Sequence, residues 1–192
     1  MSTAAVESQC SWDALLQAWR GLDVPDGWRA EIIEESLTVS PPPSEVHNVV
    51  GHFVHRALAR SLPDDLGIFQ TLGVRVVPLG ELYIPDLAVV PLDLLPSPEP
   101  PLSAEHAVLV VEITSRGNAE RDRKTKLWGY AHAPVPHYLL IDPWDRQGPA
   151  VTLHSDPRRG AYQRVERVPY GAKILLPSPV DMVLDTAQFP PT

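Results

Sequence analysis

Apolar and polar positions along the chain fall into short strand-like runs and two longer helical ones, with proline clusters between them. The segment SWDALLQAWRGL predicts a short helix, with Ser11 as N-cap and Gly21 after its last turn. RAEII and LTVS then flank the polar triplet Glu34-Glu35-Ser36 and predict a β-hairpin. In EVHNVVGHFVHRALARSL, the residues Val46, Val49, Val50, Phe53, Val54, Ala57 and Leu58 recur at helical spacing, with Ser44 placed to cap. After Pro63, GIFQTLGVRVVPL and YIPDLAVV read as two β-rich runs separated by Gly80. AVLVVEIT is apolar on both faces, as a central strand covered on both sides requires. Asn118 is expected to cap a helix over AERDRKTKLWGYAHA that Pro134 stops, and HYLLID to form another buried strand. AVTLHS, AYQRVERV, GAKILLP and VDMVLD make a β-rich tail.

This order predicts an α/β (α+β) fold: one mixed β-sheet flanked by two principal helices, with an N-terminal β-hairpin and a C-terminal β tail. A chain of 192 residues with 44% hydrophobic content can build one core without staples, so residues 1–192 are expected to form a single domain. The 22 prolines sit mostly in three clusters, where they mark loops and element ends. Cys10 is the one cysteine, which excludes an intrachain disulfide and any multi-cysteine zinc site and suits a reducing interior. No apolar run nears the roughly 20 residues that span a bilayer. The opening MSTAAVESQCSWDALL lacks a basic n-region and an apolar h-region, so the expected address is the cytoplasm.

Two acidic residues stand where the hydrophobic pattern disfavours them. Asp86 directly precedes the apolar run of YIPDLAVV, and Glu112 ends that of AVLVVEIT. A buried carboxylate costs several kcal/mol unless it is paired, hydrogen-bonded or bound to a cation. Two of them at the ends of neighbouring strands suit a hard divalent cation such as Mg²⁺ (or Mn²⁺). On the following helix Asp122, Lys126 and Tyr130 are spaced four apart and share a face. That face would turn the Lys126 ammonium toward the strand ends. Arg116, Arg121, Arg123 and Lys124 surround the helix start and are placed to track a phosphate backbone. The net charge of −8 opposes nucleic-acid binding, so any such affinity must come from a local patch.

Taken as an ordered set, AEIIEESLTVSPPPSEVHN, YIPDLAVV, VLVVEITS and RDRKTKLWGYAHAPVPHYLLIDP resemble the Uma restriction endonuclease family, formerly a domain of unknown function, within the PD-(D/E)XK nuclease superfamily. The resemblance is strongest over residues 29–143. It implies a restriction-endonuclease-like fold and Mg²⁺-dependent hydrolysis of DNA phosphodiester bonds. Pro85-Asp86 matches the PD element, Glu112 the second acid, and Lys126 a lysine moved from the usual slot, here Thr114, onto the next helix. Asp86, Glu112 and the Ile113 backbone carbonyl would hold the metal; Glu31, His47, Asp122 and Tyr130 match supporting positions. A homodimer with DNA as its partner is implied as well. The chain departs from the family at Glu34-Glu35, where Asp-Gly is usual, and at Thr114-Ser115-Arg116-Gly117, where Leu-Ser-Pro-Ser is usual.

Plainer readings stand beside these. Asp86 can be a strand-entry residue, Glu112 a partner for an arginine, and Lys126 a solvated lysine paired with Asp122. Tyr130 can be a packing residue, and the basic cluster a solvated face. His47, His52, His55, His132 and His137 form no zinc signature and read as polar helix surface or as satisfied by a hydrogen bond. Two alternatives remain for the whole chain: a non-catalytic module on the nuclease fold, and a metal-dependent small-molecule hydrolase.

Overall fold

A computed structural model describes residues 11–97 and 100–191; Cys10 lies outside them. Helix α1 (Trp12–Arg20) starts where Ser11 Oγ accepts the Ala14 N–H, and Gly21 ends it. Strands β1 (Arg29–Ile33) and β2 (Ser36–Ser40) form the expected hairpin. Its turn is the two residues Glu34 and Glu35, both at positive φ (49° and 58°), and Ser36 belongs to β2. Helix α2 (Glu45–Ala59) is capped by Ser44 Oγ.

Strands β3 (Leu66–Phe69), β4 (Val74–Val76), β5 (Glu81–Tyr83), β6 (Leu87–Pro91), β7 (Leu102–Ser103) and β8 (Leu109–Ile113) follow. A π-helical stretch (Arg121–Lys126) then runs into α3 (Leu127–His132). Strands β9 (His137–Asp142), β10 (Ala150–Arg158), β11 (Ala161–Pro169), β12 (Lys173–Leu176) and β13 (Met182–Asp185) complete the chain.

The α+β class holds, but the strands divide among three sheets instead of one. Their orders are β2-β1-β5-β4-β7, β11-β10-β9-β8-β6-β3, and the pair β12-β13. Both runs read as continuous β in the sequence are cut at this division. GIFQTLGVRVVPL splits into β3 and β4, and YIPDLAVV into β5 and β6, each half in a different sheet. The crossing at Ile84-Pro85-Asp86 leaves Asp86 between the two larger sheets.

The six-stranded sheet is covered on both faces, and period-two alternation assigns each residue to one of them. Leu87, Val89, Leu109, Val111 and Ile113 pack under α2, on Val50, Val54 and Leu58, together with residues of β12 and β13. Ala88, Val90, Val110, Tyr138 and Leu140 face the other way, toward Tyr130, Tyr83, Val74 and Val76. Helix α1 closes the far side of the five-stranded sheet through Leu15 on Ile32 and Leu82. Where α3 crosses this core, Gly129 lies against the Tyr83 ring so closely that a Cβ would collide with it.

Asn118 departs from its expected capping role. Its Oδ1 turns back to accept the Ser115 N–H and hydroxyl at 2.7 Å, closing the loop after β8. Its backbone carbonyl receives the Arg121 and Asp122 N–H groups instead. The helix thus begins without a side-chain cap and adopts i→i+5 bonding, a geometry frequent at functional sites.

Candidate active site

Alternation on β6 and β8 gives Asp86 and Glu112 the same face. The antiparallel register pairs Leu87 with Val111, so one step further places Asp86 opposite Glu112. Glu112 follows the parity of Val110 and so points toward α3, not α2. Glu31 follows the parity of Ile33 on β1 and faces the same interior from the other sheet. The π-helical stretch brings Asp122 and Lys126 into this space from a third side.

Lys126 Nζ lies 2.8 Å from Glu31 Oε1, 2.9 Å from Glu112 Oε1 and 3.9 Å from Asp122 Oδ1. Tyr130 OH donates to the same Glu112 oxygen at 2.8 Å. Glu31 Oε1 also accepts the Ile84 N–H at 2.7 Å, which ties the crossing segment to the cluster. Glu31, Glu112, Asp122 and Lys126 are all buried. The plain reading of Lys126 as a solvated partner of Asp122 therefore fails: Lys126 is 3% exposed, and Asp122 is its most distant partner.

Asp86 sits at the mouth. Its Oδ1 accepts from Arg29 Nη1 at 2.7 Å, and its Oδ2 from the Ile113 N–H at 2.8 Å, with His47 Nε2 at 3.0 Å. Burial alone would raise the Asp86 pKa; the His47 hydrogen bond and charge, Arg29 and the Ile113 N–H together hold it below the ordinary value. An ionised Asp86 can only accept, so the proton of this bond belongs to His47 Nε2, and His47 Nδ1 is left buried without a partner.

The inner acids behave oppositely. Burial lifts Glu112 well above the usual glutamate range; Lys126 pulls it back, and Asp122, Asp86 and Glu31 add smaller upward pushes. Burial likewise pushes Asp122 up to about 7. Neither Asp122 oxygen has a hydrogen-bond partner. Lys126 loses by burial but gains more from Glu112, Glu31 and Asp122, so its pKa is raised. Three carboxylates share one ammonium.

A cleft of about 460 Å³ leads from the surface to Asp86, Glu31, Glu112 and Lys126. Of the four residues expected to meet nucleic acid, Arg121 lines it. Arg116 lies over the Trp144 ring at 4.3 Å. Arg123 is bound to Asp142 at 2.6 and 2.9 Å, and Lys124 pairs with Glu120 at the surface. Sequence reasoning missed Arg29, which grips Asp86, and the buried pair Tyr83–Glu81, in which Glu81 also accepts the Glu34 N–H. Arg29 sits two positions before Glu31 at a strand start, and only the fold shows that it meets residue 86.

Among the described residues no three His, Cys, Asp or Glu side chains converge as a ready metal cage. The donors expected from the sequence are the Asp86 and Glu112 carboxylates and the Ile113 carbonyl. That suits Mg²⁺, which keeps several waters and is commonly held by one or two carboxylates. Because N–H and C=O of one strand residue point to the same edge, the Ile113 carbonyl opens on the side where its N–H meets Asp86.

The fold is mixed α+β, of the restriction-endonuclease-like class. The chain belongs to the Uma2 family, described as "Putative restriction endonuclease", whose model matches residues 12–187. A crystal structure from Anabaena variabilis ATCC 29413, described as "a putative nuclease belonging to DUF820", is similar with a TM-score of 0.68 and 18% identity. The match covers 88% of this chain and 89% of that one. No curated protein matches.

Proposed function

We propose that this protein is an endonuclease that hydrolyses DNA phosphodiester bonds with Mg²⁺ or Mn²⁺ held by Asp86, Glu112 and the Ile113 carbonyl. The observation that carries the reading is the buried cluster itself. Lys126 bridges Glu112 and Glu31 at the floor of a cleft, with Asp86 at its rim. Nothing in the packing requires three carboxylates on one lysine. Replacing such a buried network by apolar side chains is often neutral or stabilising, so stability does not explain it.

When bound, the cation would lower the pKa of a coordinated water and offset charge on the phosphate. Lys126 neutralises charge developing at the phosphoryl oxygens or orients the attacking water. Tyr130 and Glu31 fix the Lys126–Glu112 pair in place. Arg29 and His47 orient Asp86 and hold it ionised, and Arg121 meets the phosphate at the cleft wall. The resemblance carries with it a homodimer with two symmetric sites. No described helix is long and apolar enough to cross a membrane.

The test is cleavage of plasmid and single-stranded DNA with Mg²⁺ or Mn²⁺ by wild type, Asp86→Ala, Glu112→Ala and Lys126→Ala. Each variant is expected to lose at least about 100-fold in rate, the scale of losing one transition-state electrostatic contact. Lys126→Ala strands two buried acids and should also cost about 3–5 kcal/mol of stability, so melting is followed in parallel. Equal rates in all four proteins would assign the cutting to a contaminant. A second reading, a non-catalytic module, is favoured by the saturation of Asp86 by Arg29, His47 and Ile113. Absence of cleavage together with absence of calorimetric metal binding would select it.

A further inference from the structure

A second cleft, about 690 Å³, adjoins the first and shares Arg29, Pro43, His47, Ile84 and Asp86 with it. That volume lies within the range of about 300–1,000 Å³ usual for ligand pockets. Its lining includes two indoles, Trp19 from the end of α1, which also packs on Leu15, Ile32 and Leu82, and Trp28 from the loop before β1. Trp19 Nε1–H donates to the Ala30 carbonyl at 2.6 Å, which fixes its ring. Trp28 is 39% exposed. Among the described residues neither indole stacks on another ring or a cation.

The polar part of the lining comes from α2. Val50, Val54 and Leu58 form its buried stripe, whereas Asn48, His52 and His55 fall on the stripe that borders the cleft. Gln70, exposed after β3, adds a further amide. Aromatic faces beside amide and imidazole edges are the chemistry that receives a nucleobase, by stacking and by hydrogen bonding to its edge.

The charges point the same way. Arg29 is spent on Asp86, Arg123 on Asp142, Lys124 on Glu120 and Lys126 on Glu31 and Glu112. With a net charge of −8, phosphate neutralisation is a weak source of affinity here. Stacking needs no net charge.

We propose that this cleft is a nucleobase subsite: it takes one unpaired base of the strand being cut, stacked on Trp28 and Trp19, with the adjoining phosphate at Asp86. The proposal rests on the phosphodiesterase reading for the position of that phosphate, and it names the substrate class as single-stranded or locally unpaired DNA. A base held in a duplex has both faces stacked already and cannot enter.

The test is fluorescence anisotropy with a labelled oligothymidylate and with an abasic strand of equal length and charge. It is run in EDTA and again in Ca²⁺, with wild type, Trp28→Ala and Trp28→Phe. Wild type is expected to bind the base-bearing strand about tenfold more tightly than the abasic one, as one stacked base allows. Trp28→Ala should erase that preference, and Trp28→Phe should keep most of it. Equal affinity for the two strands, no binding to either, or a preference that survives Trp28→Ala overturns the subsite. The catalytic reading fails separately: base preference without any cleavage would remove the nuclease activity and leave the subsite standing, and cleavage without base preference would do the reverse.

Discussion

Asp122 is 0% exposed and has no hydrogen bond to either oxygen. Its pKa rises to about 7 from an ordinary value of 3.8. Between those values the folded state holds a proton that the unfolded chain has released, so this residue makes stability fall as pH rises from about 4 to about 7. Asp86 works in the opposite sense, since its lowered pKa contributes stability above the ordinary value that is lost on acidification. Comparing one variant with wild type isolates the first effect. Asp122→Asn should melt above wild type at pH 8 by at least about 2–4 °C, the shift per kcal/mol for a domain of this size, and the gap should close by about pH 4. Scanning calorimetry across that pH range reads it. A gap independent of pH would place the cost of Asp122 in packing, not in ionisation.

At the scale of elements, the β1–β2 turn is built from residues ill suited to it. A two-residue hairpin turn with both φ values positive prefers Asn-Gly or Asp-Gly, and here Glu34 and Glu35 occupy it. The Glu34 N–H donates to buried Glu81 at 2.7 Å, which helps hold the strained geometry. Glu35 is exposed and makes no such contact, so Glu35→Gly should relieve strain of about 1 kcal/mol. A urea melt should show a higher midpoint with unchanged m; an unchanged or lower midpoint would mean that the turn is not strained at this position. The departure from Asp-Gly was visible in the sequence, and so was the hairpin, since RAEII and LTVS carry strand patterns. The division of YIPDLAVV between two sheets was not visible. Its apolar run is continuous, and only packing the hairpin sheet against the six-stranded one decides where the chain crosses. The same limit applies to Asn118, whose side chain is equally able to cap a helix or to close a loop.

For the whole molecule, the distribution of charge governs the response to salt. The net charge of −8 coexists with cations already bound to carboxylates, and Arg121 and Arg116 make no ion pair among the described residues. Two phosphate contacts on a single strand imply a slope of log K against log salt of about −1.5. A titration of oligonucleotide binding between low and moderate salt measures it. A slope of about −5 or steeper would show that the paired cations leave their carboxylates when DNA binds.

The local sequence by itself determined the elements and the identity of the chemical groups. Capping serines, hydrophobic period and proline placement act over a few residues, and an acid at the end of an apolar run is conspicuous in one dimension. Asp86 and Glu112 stood out for that reason and Asp122, Lys126 and Tyr130 as one helix face, whereas the grouping of Lys126 with the acids, and Glu31 and His47 altogether, came from the family resemblance. The tertiary structure alone decided which charges meet. Arg29 reaches Asp86 across 57 positions and Glu31 on β1 reaches Lys126 on the helix, while Arg123 is diverted to Asp142. Electrostatic pairing depends on distance through space and on burial, and a linear pattern carries neither until the sheets are packed.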